Sequence, residues 1–553
     1  MKSRILMSLL GLVLSLGSAT AQTDKVPFNG LITDGLGTPL KRAKIYVDPK
    51  KYATSDKKGR FGLTNVQPND TIHVVYKKRH FDIAVDGRKS LRIMIGDEIN
   101  PQSIEDEKLV DLGYGYVKNR EHTGVSNHIT GEELVRSGYT NILQALQGRV
   151  PGLNVNTTNG VTGETSVSMR GINSFHLSTT PLYVVDNIVV NSLDGINLYD
   201  VDYVEVLKDA SIYGAQGANG VVLITTKRGK AGEAKFSYDG TTTWSRQSKR
   251  IDMLNLREFA TFYNDMVNIG EIYDGDPAYS DPSVLGLGTN WQDAIFRTAF
   301  QQQHQVSAQG GNEKVRYYVS GAWMDQEGTI IGSEFERYSM RSNLDAELKK
   351  WLKMGLNISY GNTKEDLKLA DSEEGLIQYS LTTPPDIQIY DINGGYSSVN
   401  KEGFSNPNPI ALAEMNVIQL QRQKLNGNLF FDVTPIKDVV WHTELGWDLG
   451  WSDAETYSPM VELAGWHRNS NNARMQKNSN VYWSIKNYLT YNHKFGKHSI
   501  NAMVGQEAWE SSWHYTSVEN SALPLDFVHN PSLGDGTAKI GAGFGSSAMA
   551  SFF

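Results

Sequence analysis

The sequence has 553 residues, of which 39% are hydrophobic and 10% aromatic, and its formal net charge is −8. This charge argues against the basic surface of a nucleic-acid-binding protein, so we expect no nucleic-acid partner. There is no cysteine, which excludes disulfides, thiolate metal sites and a cysteine nucleophile.

The first 21 residues have the pattern of a signal peptide. Lys2 and Arg4 are basic, residues 5–17 are almost entirely apolar, and residues 19–21 read Ala-Thr-Ala, a cleavage site of the A-x-A kind. The apolar run is shorter than the ~20 residues that a membrane-spanning helix needs. We therefore expect export across the inner membrane, with the mature chain starting at Gln22.

Residues 22–95 are predicted to form a small β-sandwich. Short strand-like runs at 28–33, 44–47, 60–64, 71–76 and 90–95 are separated by Gly, Asp and Pro turn residues at a spacing near ten residues. The pattern GLITDGLGTPLKRAKIYV at residues 30–47 resembles the carboxypeptidase-regulatory-like (transthyretin-like) domain. The alternative is a generic β-sandwich, and in either case nothing catalytic is expected there.

Residues 96–120 read as a polar linker, and residues 121–230 as a compact α/β unit. In this unit a helix is predicted at 142–146 and strands at 182–185, 203–207 and 221–226. The segment between the last two strands is rich in small residues, which lets the strands pack closely.

The motif VEVLKDASIYGAQGANGVVLITTK at residues 204–227 resembles the plug signature of SusC/RagA-like TonB-dependent outer-membrane transporters. We therefore call residues 121–230 the plug. Two of the matching residues, Arg170 and Asp186, are expected to form either an ion pair inside the plug or contacts from the plug to a surrounding wall. The residues that carry the plug signature are Arg170, Gly171, Asp186, Glu205, Lys208, Asp209, Tyr213, Gly214, Asn219 and Gly220.

The linker contains EDEKLVDLGYG at residues 105–115, where this family carries its TonB box. An extended segment of this kind would offer backbone N–H and C=O groups to a partner's sheet edge. Lys108 and Asp111 interrupt the valine-rich run of the family pattern, and a plain linker is the alternative. The candidate TonB box comprises Glu105, Asp106, Glu107, Lys108, Leu109, Val110, Asp111, Leu112 and Gly113.

From Lys235 onward apolar and polar residues alternate with a period of two. The clearest example places Trp441, Leu445 and Trp451 on one face and His442 and Glu444 on the other. The strands exceed the ~5–6 residues usual in soluble sheets. Long connections, such as 246–300, 364–421, 452–479 and 511–546, alternate with short ones, which is typical of outer-membrane barrels. We count about nine strands up to residue 510 and the start of a tenth at 548–553.

A barrel with this number of strands would be too small to contain the plug. Large plugged barrels have 22 strands, whereas the interior of a barrel of about ten strands is nearly filled by side chains. We therefore expect residues 231–553 to be the first part of a transmembrane β-barrel that is truncated. The predicted fold is mainly β, with a transthyretin-like sandwich, an α/β plug and an incomplete antiparallel barrel.

No motif for catalysis, nucleotide binding or metal binding is found in the sequence, so we expect no enzyme activity, cofactor or metal. The family resemblance implies import of oligosaccharides or peptides across the outer membrane. It also implies a SusD-like lipoprotein partner and drive by the proton-motive force through TonB with ExbB and ExbD. The alternative is a surface-associated, adhesin-like β module that does not transport. A requirement for detergent to extract the protein from outer membranes would favour the first function.

Overall fold

The computed structural model describes residues 28–553 except 35–38, 49–50, 64–65, 68–69, 77–78, 86–89, 96–108, 115, 119–123, 158–164, 172–178, 272–278, 369–374, 398–405, 464–465, 496–497 and 526. The signal-peptide prediction and part of the candidate TonB box lie outside the described residues. Two compact units are present: residues up to 109 with 117–122, and residues 110–116 with 123–553.

The first unit is a sandwich of two sheets, in agreement with the predicted fold. A three-stranded sheet has the order β4-β1-β7 and a four-stranded sheet the order β3-β2-β5-β6. Ile32, Ile45, Phe61 and Ile72 are buried in its core, because alternate residues of each strand point inward. The strands are β1 (Phe28–Asp34), β2 (Lys44–Asp48), β3 (Lys51–Thr54), β4 (Arg60–Leu63), β5 (Thr71–Tyr76), β6 (Arg79–Ala84) and β7 (Ser90–Ile95). Sequence analysis missed β3 and β6, which pair with the predicted β2 and β5.

Two short strands, β8 (Leu109–Asp111) and β9 (Tyr116–Lys118), precede the plug in the chain. The described part of the plug belongs to the second unit. Its central sheet has the order β10-β15-β16-β13-β14, with β11 and β12 as a separate hairpin. Its elements are β10 (Ser126–Thr130), α1 (Gly131–Val135), α2 (Ile142–Leu146), β11 (Leu153–Thr157), β12 (Thr165–Met169), β13 (Leu182–Val185), β14 (Ile188–Val190), β15 (Val201–Leu207) and β16 (Val221–Thr226), with 3-10 turns at Leu198–Asp200 and Ser211–Asn219. One apolar core, which includes Leu134, Leu146, Val204 and Ile224, holds these elements together.

The remainder of the chain forms one antiparallel sheet of ten strands, which we call the long sheet. Its strands are β17 (Gly232–Ser245), β18 (Ala299–Gly311), β19 (Val315–Glu327), β20 (Glu334–Lys349), β21 (Leu352–Asp366), β22 (Val417–Ile436), β23 (Val439–Ser458), β26 (Asn472–Phe495), β27 (His498–Ser521) and β28 (Lys539–Phe552). Each strand pairs with the next strand of the sheet along the chain. The connections contain α3 (Leu256–Asn268), α4 (Trp291–Ile295), α5 (Leu376–Thr382), α6 (Pro409–Met415), the short strands β24 (Val461–Leu463) and β25 (Trp466–Arg468), and 3-10 turns at Pro282–Val284 and Pro531–Leu533.

Long and short connections alternate along the long sheet as predicted, but two of the long connections are shorter than expected. We predicted connections at 452–479 and 511–546, whereas the strands extend to Ser458 and Ser521 and leave only 459–471 and 522–538. The reason is that these strands reach 20 and 24 residues, about twice the length that crosses a membrane. The tenth strand likewise starts at Lys539 rather than at 548.

The two faces of the long sheet differ as the sequence pattern predicts. Trp441, Leu445 and Trp451 are 50%, 47% and 43% exposed, whereas His442 and Glu444 on the opposite face are buried. The plug covers the polar face, which we call the inner face. Among the described residues, no helix combines the length and the apolarity that a membrane crossing requires.

Candidate functional site: the plug and the inner face of the long sheet

The hairpin turn between β13 and β14 is the deepest contact of the plug with the inner face. Asp186 and Asn187 have φ angles of +46° and +74°, as in the type I′ turn of a two-residue hairpin. The Asp186 carboxylate accepts hydrogen bonds from the Thr226 backbone N–H (3.0 Å) and hydroxyl (2.7 Å). It also accepts from the Arg341 guanidinium of β20 at 2.9 Å, and both side chains are almost fully buried.

The backbone of the same turn is bound by two further strands of the inner face. The Asn428 amide of β22 donates to the Asp186 carbonyl at 2.9 Å, and the Lys486 ammonium of β26 donates to the Asn187 carbonyl at 2.5 Å. Glu444 lies between them and accepts from Asn428 at 2.8 Å. Side chains of β20, β22 and β26 therefore converge on one turn.

A second anchor is the Asp200 carboxylate, at the end of the plug's first 3-10 turn. One of its oxygens accepts hydrogen bonds from Gln305 (2.9 Å), Tyr318 (2.8 Å) and Ser320 (2.7 Å) of β18 and β19. Further polar contacts flank it, among them the ion pair of Arg228 with Asp345 at 2.9 Å. Most of these contacts are between buried polar or charged groups, so the stability of the interface depends strongly on the pairing of those groups.

Residues 109–113 are the part of the candidate TonB box that the structure describes, and they contact the plug. One Asp111 carboxylate oxygen accepts from the Gly113 N–H (2.9 Å), and the other accepts from the Tyr203 hydroxyl (2.8 Å) and the Thr225 hydroxyl (3.4 Å). Gly113 has a φ of +82°, and the Tyr213 hydroxyl occupies the space that a side chain would take there. Glu105, Asp106, Glu107 and Lys108 lie outside the described residues.

Tyr114, which follows this segment and which sequence analysis did not single out, contacts the inner face. Its hydroxyl donates to Glu507 at 2.6 Å, and the Lys486 ammonium lies 5.1 Å from its ring centroid. Burial raises the pKa of the Tyr114 hydroxyl far above its usual value, and Glu507 adds to this shift. The aromatic residue of the GYG motif at 113–115 was the available signal for this contact.

Three cavities adjoin the long sheet. The first and third lie between the plug and the sheet, whereas the second is lined by residues of β22, β23, β26 and β27. Their volumes are about 360, 410 and 290 Å³. The first and third share Asp194 of the plug and Arg422 of the sheet. Within the part of the chain that the structure describes, no group of three or more His, Asp or Glu residues could hold a metal ion.

Comparison with known proteins agrees with this architecture. The family model described as "TonB-dependent Receptor Plug Domain" matches residues 118–221. TonB-dependent receptor P3 of Formosa agariphila is 31% identical over 75% of this chain and 40% of its own length. TonB-dependent receptor SusC of Bacteroides thetaiotaomicron is 29% identical over 93% of this chain and 53% of its own length.

The chain is therefore SusC/RagA-like and carries the plug domain of TonB-dependent receptors. A solved structure of the RagAB peptide importer in the "open-open" state matches 80% of this chain and 54% of its own, with a TM-score of 0.70 and 26% identity. A second RagAB structure, in the "closed-closed" state, gives a TM-score of 0.66 at the same identity. The chain spans about half the length of the curated relatives that it matches.

The SusC-like signature residues separate into two groups. Asp186 contacts the inner face through Arg341, whereas Arg170 pairs with Asp209 inside the plug at 2.8 and 3.1 Å, with both side chains about half exposed. Arg170 and Asp186 therefore do not form an ion pair with each other.

Most of the remaining signature residues shape the plug itself. Glu205 is buried against His128 at 2.8 Å. Gly171, Gly214 and Gly220 have φ angles of +92°, +56° and +83°, which glycine adopts without strain. The Lys208 backbone N–H donates to the carbonyl of Val125 at 2.9 Å.

Tyr213 and Asn219 lie, like Gly214, in the 3-10 turn at Ser211–Asn219. Tyr213 is buried, which raises the pKa of its hydroxyl strongly. The Asn219 amide is 3.4 Å from the Thr180 carbonyl. These contacts describe structural roles, and a shared functional role of the signature stays a prediction.

Proposed function

We propose that the protein to which this chain belongs imports an oligosaccharide or a peptide across the outer membrane. The observation that carries the proposal is the plug, which is bound through buried polar groups to the inner face of a sheet whose outer face is apolar.

The outer face of β23 supports a position in the membrane. Its apolar residues run from Trp441 to Trp451, and the same face then turns acidic at Asp453 and Glu455. Ten residues at ~3.3 Å each span roughly 33 Å. A strand tilt of ~40° reduces this to about 25 Å, the height of the apolar band in outer-membrane barrels, with tryptophan at both edges.

The partners follow by analogy with the family. RagAB is a peptide importer by its description, which supports transport and a SusD-like lipoprotein subunit for the present protein. We further propose that TonB, with ExbB and ExbD, couples the proton-motive force to the plug through residues 105–113. The Asp111 contacts with Tyr203 and Thr225 would link a pull on that segment directly to β15 and β16 of the plug.

Deletion of residues 105–115 in the native host tests this coupling. We expect energised uptake to be abolished while surface binding of the ligand is retained, because none of the described residues of this segment lines the three cavities. Deletion of residues 96–104, in the same linker, is the control and should leave uptake in place. Undiminished uptake without residues 105–115 would remove the TonB-coupling proposal.

A further inference from the structure

The first of the three cavities contains a buried arginine that forms no ion pair with any described acidic residue. Arg337 of β20 is 5% exposed and lines this cavity of about 360 Å³. One of its terminal nitrogens lies 3.4 Å from the Ile196 carbonyl of the plug, and the other lies 3.8 Å from the Met324 sulfur. Over the described residues, no carboxylate oxygen lies within 4.0 Å of this guanidinium.

Two other arginines of the inner face provide the comparison. Arg341, four residues further along the same strand, is paired with Asp186, and Arg422 is paired with Glu365. A guanidinium removed from water without a counter-charge costs several kcal/mol, so proteins rarely retain one without a use for it. Arg337 is therefore the one of these three arginines whose charge is available to a ligand.

The two acidic groups nearest in the plug do not neutralise Arg337 by direct contact. Asp200 already accepts hydrogen bonds from Gln305, Tyr318 and Ser320 through a single oxygen. Asp194 lines the same cavity, and its electrostatic interaction with Arg337 acts across more than 4.0 Å.

The rest of the cavity wall is rich in neutral polar groups. Thr140 and Asn141 come from the plug, and Thr243, Gln301 and Gln326 come from β17 to β19. Hydroxyl and amide side chains can form hydrogen bonds with sugar hydroxyls and with peptide backbones alike. The wall also carries Asp194 and the ion pair of Arg422 with Glu365. Of the two arginines in the wall, Arg337 is the one with no described carboxylate oxygen within 4.0 Å, so Arg337 is the group that discriminates between ligand classes.

We propose that Arg337 is a specificity-determining residue that binds a carboxylate of the imported ligand. The ligand is then an acidic oligosaccharide, such as one built of uronic acids, or a peptide with a free carboxyl terminus. A guanidinium holds a carboxylate through two parallel hydrogen bonds, which a neutral sugar cannot form. A neutral ligand would leave the buried charge unpaired and so be rejected. This inference rests on the proposed transport function and names the chemistry of its substrate.

The test is calorimetric titration, in detergent and without TonB, of the purified full-length protein to which this chain belongs. The probes are trialanine, trialanine amide, a galacturonic acid trimer and maltotriose. We expect trialanine to bind at least about tenfold more tightly than its amide, or the galacturonate trimer to exceed maltotriose by that factor, because the neutral probe loses the charge-assisted hydrogen bonds to the guanidinium. The pair that shows the difference identifies the source of the carboxylate.

Three variants assign the effect to Arg337. Arg337→Gln should abolish the preference for the acidic probe. Arg337→Lys should retain part of it, because lysine keeps the positive charge but lacks the paired N–H donors of the planar guanidinium. Arg316→Gln, at an exposed arginine of β19 that is not among the residues lining the three cavities, is the matched control and should leave the preference unchanged. Circular dichroism and heat-modifiability on gels check that each variant is folded.

The results that would overturn this proposal are binding results, and they can be told apart from a failure of the proposed transport function. Equal binding of acidic and neutral probes, no binding of either acidic probe at millimolar concentration, or an unchanged preference in folded Arg337→Gln would each overturn it. Because binding is measured without energy, loss of uptake in the linker deletion does not bear on this result. A confirmed carboxylate preference would in turn stand even if the TonB-coupling proposal failed.

Discussion

The sandwich of the first unit and the long sheet of the second are both antiparallel in the main, yet they bury opposite kinds of residue. In the sandwich the inner residues are Ile32, Ile45 and Ile72, and they pack against one another. In the long sheet the inner residues include Arg341 and Glu444, and the apolar residues face outward. The same period-two pattern thus produces two architectures, because the medium on the outside differs.

The difference determines what holds each region together. Apolar burial stabilises the sandwich in proportion to the area removed from water, with little dependence on the geometry of single contacts. The interface of the plug with the inner face depends instead on pairs such as Arg341 with Asp186, in which loss of one partner leaves a buried charge. We expect the two regions to respond very differently to single substitutions.

The largest effect is expected at the plug–sheet interface. Arg341→Met leaves the Asp186 carboxylate buried without its cation, which should destabilise the seated plug by about 3–5 kcal/mol. Hydrogen exchange of residues 182–190 and 221–226 would measure it as lost protection.

The double variant Asp186→Asn with Arg341→Met is the matched control for this prediction. It removes both charges and should recover most of the protection, since no uncompensated charge remains. Protection in the single variant equal to that of the wild type would contradict the interface as described.

In the sandwich, a similar loss requires removal of volume rather than of charge. Ile72→Ala should cost about 2–5 kcal/mol through lost burial and a residual cavity, because Ile72 is fully buried. Denaturant titration followed by protease digestion of β5 would measure the cost. Ile72→Val, which deletes a single methylene, should cost only ~0.5–1.5 kcal/mol, and an equal cost for the two would argue against a close-packed core.

The smallest of the three effects is expected on the outer face of the long sheet. Leu445→Arg should cost about 2–4 kcal/mol in a bilayer, because a charge there faces hydrocarbon. Urea unfolding in lipid vesicles is the measurement. Glu455→Arg lies on the same face of β23, beyond Trp451, and should be close to neutral. Similar costs at both positions would mean that the outer face does not meet a membrane.

Sequence analysis located many elements closely, and the reason is local. The strands at Leu182–Val185, Thr71–Tyr76 and Val221–Thr226 have the predicted bounds, because turn residues bracket a clear apolar run. Strand ends in the long sheet were misjudged near Ser458 and Ser521, where the residues are polar and only pairing with neighbours keeps the strand extended.

The amino-acid sequence by itself determined the domain order, the plug family and the alternation that distinguishes the two faces of the long sheet. These features depend on turn chemistry, periodicity and a motif, all of which act between residues close in the chain. Only the tertiary structure decided that Asp186 is paired with Arg341, that Arg170 is paired with Asp209 and that Arg337 has no acidic partner among the described residues. Each of these facts joins residues from different elements, and which charges meet depends on how the plug sits against the sheet.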